Sequence, residues 1–180
     1  MKLKSFINIM NKKSLRGFTL IELLIVMAIL GVLAVVVLVA INPVQQLART
    51  RDAGRKSGIA QIGRALEAYY TSHSGSYQAQ TNTFLSVLST SGEISTPPSQ
   101  ISYRGGYTAE TCTNSQNGWC YLTNTAEAVV YTELESDSER SKCANTDTMF
   151  VWSTVDGRGG IVCASAPAGA GTAQSWNSIQ

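Results

Sequence analysis

Apolar residues are massed near one end of the chain and then thin into two periodicities. Between Leu23 and Ile41 lie 19 residues without a charge, interrupted only by Gly31. At 1.5 Å per residue a helix over this run is about 28 Å long, close to the hydrocarbon thickness of a bilayer. Pro43 follows directly. It removes one backbone hydrogen bond and meets the carbonyl of Val39, which predicts a kink. Helical spacing then resumes through Val44, Leu47, Ile59, Ile62, Leu66 and Tyr69, with Arg49, Arg51, Arg55, Lys56 and Arg64 on the polar side. Gly54, Gly58 and Gly63 each weaken such a helix by about 1 kcal/mol relative to alanine. They predict either a segment that bends or partly melts, or one that accepts close packing.

This second helix is expected to stop near Ser72, at Ser74-Gly75-Ser76. Residues 84–88 suit a short helix, and Gly92 with Pro97-Pro98 marks irregular chain. The pattern then turns strand-like over 100–107, 119–122, 127–134, 148–154 and 160–164, with Asp156-Gly157-Arg158-Gly159-Gly160 as a hairpin turn. The predicted fold class is α+β. A long N-terminal helix, one half membrane-spanning and the other amphipathic, packs on a C-terminal antiparallel sheet. The expected divisions are a leader over 1–17, a transmembrane and assembly helix over 18–43 and an amphipathic helix over 44–72. A globular head over 73–165 and a flexible tail over 166–180 complete the chain.

Ahead of the apolar run, Lys2, Lys4, Lys12, Lys13 and Arg16 form a basic leader without an acid. That excess is expected to hold the N-terminus in the cytoplasm. An ordinary secretory signal is cut after its apolar stretch. The best small-x-small candidate there, Val32-Leu33-Ala34, is poor because the run continues through it, and the first cysteine, Cys112, comes too late for a lipoprotein anchor. The better cleavage point is the Gly17–Phe18 junction, where Gly17 suits an extended backbone in a protease cleft. The run Gly17-Phe18-Thr19-Leu20-Ile21-Glu22, after a short basic leader and before an apolar helix, resembles the signal of type IV prepilins and type II secretion pseudopilins. The likeness covers the first quarter to third of the chain. It implies cleavage after Gly17 by prepilin peptidase, methylation of the new Phe18 amine, and a role for Glu22 as the family's fifth mature residue. The order helix, loop, sheet and disulfide-linked end also looks like pilins, in a less specific way.

Glu22 is the costly residue. A charge at the centre of a membrane helix costs about 2.5–3.5 kcal/mol on insertion scales. After cleavage Glu22 lies four residues from the Phe18 amine. It can answer that amine and its own helix dipole, or pair with Phe18 of a neighbouring subunit and set register. The two are not exclusive, and the resemblance favours the second.

The formal charge of +2 becomes −3 without the five leader cations, so no strongly basic nucleic-acid footprint remains. Cys112, Cys120, Cys143 and Cys163 are an even set in a domain expected outside the cytoplasm. Local pairing, Cys112–Cys120 and Cys143–Cys163, is expected over the two other connectivities. They lack a Cys-x-x-Cys, and the single histidine, His73, is distant, so no metal is expected. Glu133, Glu135, Asp137 and Glu139 alternate as if on one strand face. Ser138 and Ala144 stand where a calcium loop needs glycine and glutamate, so a solvated strand end is expected. The calcium loop common in major pseudopilins finds no match here. No nucleophile elbow or phosphate loop is present, and neither catalysis nor a cofactor is expected.

The basic cluster from Arg49 to Lys56, with Tyr69 and Tyr70, suits lipid headgroups or acidic neighbours better than DNA. Tyr103, Tyr107, Trp119, Tyr121, Phe150 and Trp152 are expected in the core. The expected function is a structural subunit of a pilus-like filament at the cytoplasmic membrane. A secretion pseudopilin, or a minor pilin that binds DNA or a surface from a membrane tether, is the alternative. The implied partners are copies of the chain and related pilins, prepilin peptidase, an inner-membrane assembly platform and membrane lipid.

Overall fold

The computed structural model describes residues 17–105, 112–144 and 146–178. The chain divides into two units, one ending at Asn42 and the other beginning at Pro43. The leader cations and Tyr107 lie outside the described residues.

The first unit is a single described helix, α1, Leu20–Ile41. Thr19 caps its N-terminus, and Asn42 ends it in the left-handed region at φ 46°. The expected kink is therefore an interruption. α1 stops at Ile41, and Pro43, whose missing N–H costs nothing at a first helical position, opens the next helix.

The second unit is α+β. Helix α2 spans Pro43–Ser72 and α3 Phe84–Thr90, and α4 is a single turn, Asp137–Arg140. Strands β1 Ser115–Gln116, β2 Trp119–Thr123, β3 Ala128–Glu133, β4 Thr148–Ser153 and β5 Arg158–Cys163 form one antiparallel meander in sequence order. All six residues of β3 are buried, because both faces of the sheet are covered. On one face Ile59, Ile62 and Leu66 of α2 meet Phe84, Leu88, Tyr121 and Val130. On the other, Val129, Tyr131, Met149, Val151 and Val162 lie under Trp176.

The segment read as a loose tail is tied down. Trp176 forms a bridge to Val162, Asn177 donates its N–H to the Ile161 carbonyl at 2.8 Å, and the buried Gln174 side chain bonds both the N–H and the carbonyl of Ala168. The strand expected over 100–107 is absent at 100–104. That stretch spends its backbone groups elsewhere: the Ile101 N–H donates to the Asn117 carbonyl, the Ser102 carbonyl accepts from Arg55, and the Arg104 N–H donates to Glu135.

Two of the three α2 glycines are seats for tryptophan. A Cβ on Gly58 would lie 2.4 Å from the Trp119 ring, and one on Gly63 would lie 2.5 Å from Trp152. A Cβ on Gly54 would meet nothing within 4 Å. Close packing therefore explains Gly58 and Gly63, and their cost to the helix is offset by burial of large indoles.

The first half of α2 is held by polar contacts. Asp52 accepts the backbone N–H groups of Glu135 (3.0 Å) and Ser136 (2.8 Å) and pairs with Arg55 at 2.6 Å. Glu135 accepts from Arg51 Nε and from the Arg104 N–H, and lies 3.4 Å from Arg55. The Arg55 guanidinium stacks 4.1 Å from the Tyr103 ring centre. Gln45 receives the Asp137 N–H, and Lys56 pairs with Glu139. The alternating acids are thus not a solvated strand end. β3 stops at Glu133, Glu133 and Glu135 are buried, and Glu139 is ion-paired; only Asp137 is exposed. Val44 and Leu47, expected on the apolar stripe, stay exposed.

Burial pushes the Glu135 carboxyl up, but the Arg104 N–H, the Arg51 hydrogen bond and the charges of Arg55 and Arg51 outweigh it, so the net shift is downward. Glu139 is likewise raised by burial and lowered further by Lys56 and Lys142. A carboxylate held below its ordinary range stabilises the fold above the unfolded value, near 4.3 for glutamate. That stability is lost as the pH falls through the folded value. Unfolding of the full chain in detergent, followed by circular dichroism, is expected to lose stability steeply below about pH 4. Glu135→Gln is expected to cost about 3–5 kcal/mol at neutral pH and to flatten that acid slope.

The glycines separate in the same assay. Gly58→Ala and Gly63→Ala are each expected to destabilise by about 1–3 kcal/mol through overpacking. Gly54→Ala, in open space, is expected to be neutral or to stabilise by up to about 1 kcal/mol.

Candidate processing and assembly segment

The predicted processing residues sit at the start of α1. Gly17 and Phe18 are exposed, Phe18 at 90 %, and extend ahead of the helix. Among the described residues, a Cβ on Gly17 would meet nothing within 4 Å.

Thr19 and Glu22 form a reciprocal cap. The Glu22 N–H donates to Thr19 Oγ1 at 3.2 Å, while Glu22 Oε2 accepts the Thr19 N–H and hydroxyl, each at 2.8 Å. Glu22 thus satisfies a donor that a helix start otherwise leaves open. Both bonds to the carboxylate fall on Oε2, and Oε1 takes part in neither. The Thr-x-x-Glu spacing of such a cap is legible in residues 19–22, although sequence reasoning assigned no role to Thr19.

From this cap onward no residue of α1 is buried. Leu, Ile, Val and Met side chains point outward around its whole circumference, each at least half exposed. A helix apolar on every side is a membrane span or a buried core element. At 22 residues α1 is long and apolar enough to cross a bilayer.

In the other unit both disulfides are local. Cys112–Cys120 ties the start of the described 112–144 stretch to β2, with Cα atoms 5.9 Å apart. Cys143–Cys163 joins the chain after α4 to the end of β5, with Cα atoms 5.3 Å apart. Asn177 Nδ2 lies 3.1 Å from Cys163 Sγ, so the second bridge also meets the terminal segment.

The basic cluster read as a contact surface is largely consumed within the chain. Arg51 and Arg55 bind Glu135 and Lys56 binds Glu139, whereas Arg49 is exposed. His73 is exposed, stacks on Tyr69 at 3.7 Å and has Nδ1 2.9 Å from Ser72 Oγ. The Ser72 hydroxyl in turn lies 2.6 Å from Glu93 Oε1, so these groups close the end of α2. Among the described residues, no group of three or more His, Cys, Asp and Glu is placed to hold a metal ion. Trp119 and Tyr121 are core, and Tyr103, Phe150 and Trp152 are partly buried against it or against Arg55.

No curated protein and no solved structure matches the chain. Residues 12–38 match the family model described as Prokaryotic N-terminal methylation motif. That match covers the Gly17–Phe18 junction, the Thr19–Glu22 cap and most of α1, and with the exposed apolar helix behind it the chain has a prepilin-type N-terminus, consistent with the type IV pilin and pseudopilin family.

Proposed function

We propose that the chain is a structural subunit of a type IV pilus-like filament, inserted into the cytoplasmic membrane as a precursor with its N-terminus inside. Prepilin peptidase cuts after Gly17, the Phe18 amine is methylated, and the mature chain polymerises through α1. The observation that carries this reading is a helix with no buried residue and one carboxylate, Glu22, in its first turn. Before assembly, lipid covers the apolar surface; afterwards, copies of the same helix do. Cleavage creates a cation at Phe18 close to Glu22, and the carboxylate has an oxygen outside the Thr19 cap with which to meet the amine of a neighbouring subunit. The second unit, crosslinked by two disulfides, is the part presented on the filament surface.

Cleavage is read by intact mass. The wild-type chain is expected to lose residues 1–17 and gain a methyl group, whereas Gly17→Leu is expected to accumulate at full length, because a bulky side chain blocks the extended junction. Normal maturation of Gly17→Leu would move the cleavage site elsewhere.

Two substitutions separate the cap from the charge. Glu22→Gln keeps a side chain that completes the Thr19 cap but removes the charge. Thr19→Ala removes the hydroxyl's two bonds in the cap, at about 1 kcal/mol, and keeps the charge. Filament yield in sheared surface fractions is expected to collapse for Glu22→Gln and to fall little for Thr19→Ala. The reverse order would assign Glu22 to helix capping alone.

A further inference from the structure

The cations that gather in space are not those that run together in sequence. Lys56 of α2, Lys142 after α4 and Arg158 of β5 line one cleft of about 290 Å³, with Phe150, Gly159, Gly160, Ile161, Trp176 and Asn177 as its remaining walls. Lys56 and Lys142 share a single carboxylate, Glu139, at 2.7 and 3.1 Å. Their side chains keep 29 % and 24 % of their surface exposed. The Arg158 guanidinium rests 4.5 Å from the Trp176 ring centre, and Lys56 Nζ lies 5.9 Å from that of Phe150. Asp156 also acts on Arg158, and it accepts the Gln174 N–H. Among the described residues, three cations therefore meet the carboxylates of Glu139 and Asp156, an excess of one positive charge.

The backbone adds a donor. β5 is the last strand of the sheet, with β4 on one side. Its Ile161 carbonyl accepts from the Asn177 N–H and so points away from β4. Alternation along an antiparallel ladder turns the backbone groups of Gly159, two residues back, the same way, and Gly159 lines the cleft. No side chain at 159 stands in front of its N–H. Cations converging with a backbone N–H that points off the sheet edge, and that is not paired among the described residues, are the elements of an oxyanion site. The volume is just under the usual range for ligand pockets, which suits a group no larger than one sugar ring.

We propose that this cleft at the β5 edge binds an oxyanion, a carboxylate or a phosphate, carried on a single acidic saccharide unit. Arg158 and Lys142 hold the charged group, Lys56 adds to the field, and Gly159 supplies an N–H. The site is independent of α1 and adds ligand recognition to the filament role.

The test is titration of the full chain in detergent micelles with D-glucuronate, D-glucose 6-phosphate and neutral D-glucose, followed by the amide resonances of Gly159 and Gly160. Saturable shifts with at least one anion and none with glucose are expected. Which anion saturates tells whether carboxylate or phosphate is preferred. Lys142→Ala and Arg158→Ala, both at partly or fully exposed side chains, are each expected to weaken binding about tenfold. Arg64→Ala, outside the cleft, is expected to leave it unchanged. Absence of saturable shifts with both anions, an equal response to glucose, or undiminished binding in the Lys142→Ala/Arg158→Ala double variant would overturn the proposal.

Discussion

A helix of 22 residues that buries none of its own apolar surface is the constraint on which everything else in this chain depends. Covering a Leu, Ile or Val side chain fully is worth about 1.5–3 kcal/mol. Summed along α1, that demand exceeds what a small domain has to spare, so a helix exposed in this way calls for a cover. Lipid covers it without specificity. A carboxylate in the first turn changes the problem, because lipid gives Glu22 nothing in return for lost water. The Thr19 cap recovers part of that loss within the chain, through two bonds to one oxygen. In the proposed filament, an acid answered half by its own helix start and half by a partner would insert at moderate cost and still reward assembly.

The second unit is built around α2, whose two halves are held by different chemistry. From Ile59 to Leu66 the helix is packed by apolar side chains, with Gly58 and Gly63 letting two indoles against the backbone. From Gln45 to Lys56 it is held by charges and side-chain-to-backbone hydrogen bonds reaching residues 135–139 and the Ser102 carbonyl. Buried ion pairs contribute less to net stability than apolar packing of the same volume, but leaving one member unpaired is expensive. The two halves therefore answer differently to conditions. Acid acts on the polar half first, and local opening is expected to begin there before the indole-packed half gives way.

What the residues disclose in advance follows the range of the interaction. The apolar run, the helix stop near Ser72 and the strands β2 to β5 rest on local periodicity, and they appear within a few residues of their expected places. The Thr19–Glu22 cap is equally local, and its spacing is written in the motif itself. Gly58 and Gly63 are ambiguous locally, because whether a glycine loosens a helix or seats a ring depends on residues 61 and 89 positions away. The Asp52–Glu135 and Arg51–Glu135 contacts cross 83 and 84 positions, so charges that look solvated along the chain become buried partners in space. The stretch near Ile101 and Tyr103 alternates like a strand. Side chains from α2 and β2 claim its backbone groups, and the two-residue β1 pairs with β2 instead.

The same exchange decides where charge remains on the surface. The run from Arg49 to Lys56 looks, along the chain, like a basic patch ready for headgroups or phosphates. In the fold Arg55 is buried against Glu135, and Arg51, still partly exposed, is held to the same carboxylate. Lys56 is redirected to a group of cations drawn from α2, the turn after α4 and β5, where no two neighbours in space are near in sequence. A surface built this way is tied to the sheet rather than to one exposed helix. Its geometry is fixed by β4–β5 pairing and by the Cys143–Cys163 bridge beside Lys142. Rigid placement is what separates a cleft that selects an anion by shape from a charge run that attracts anions of any kind.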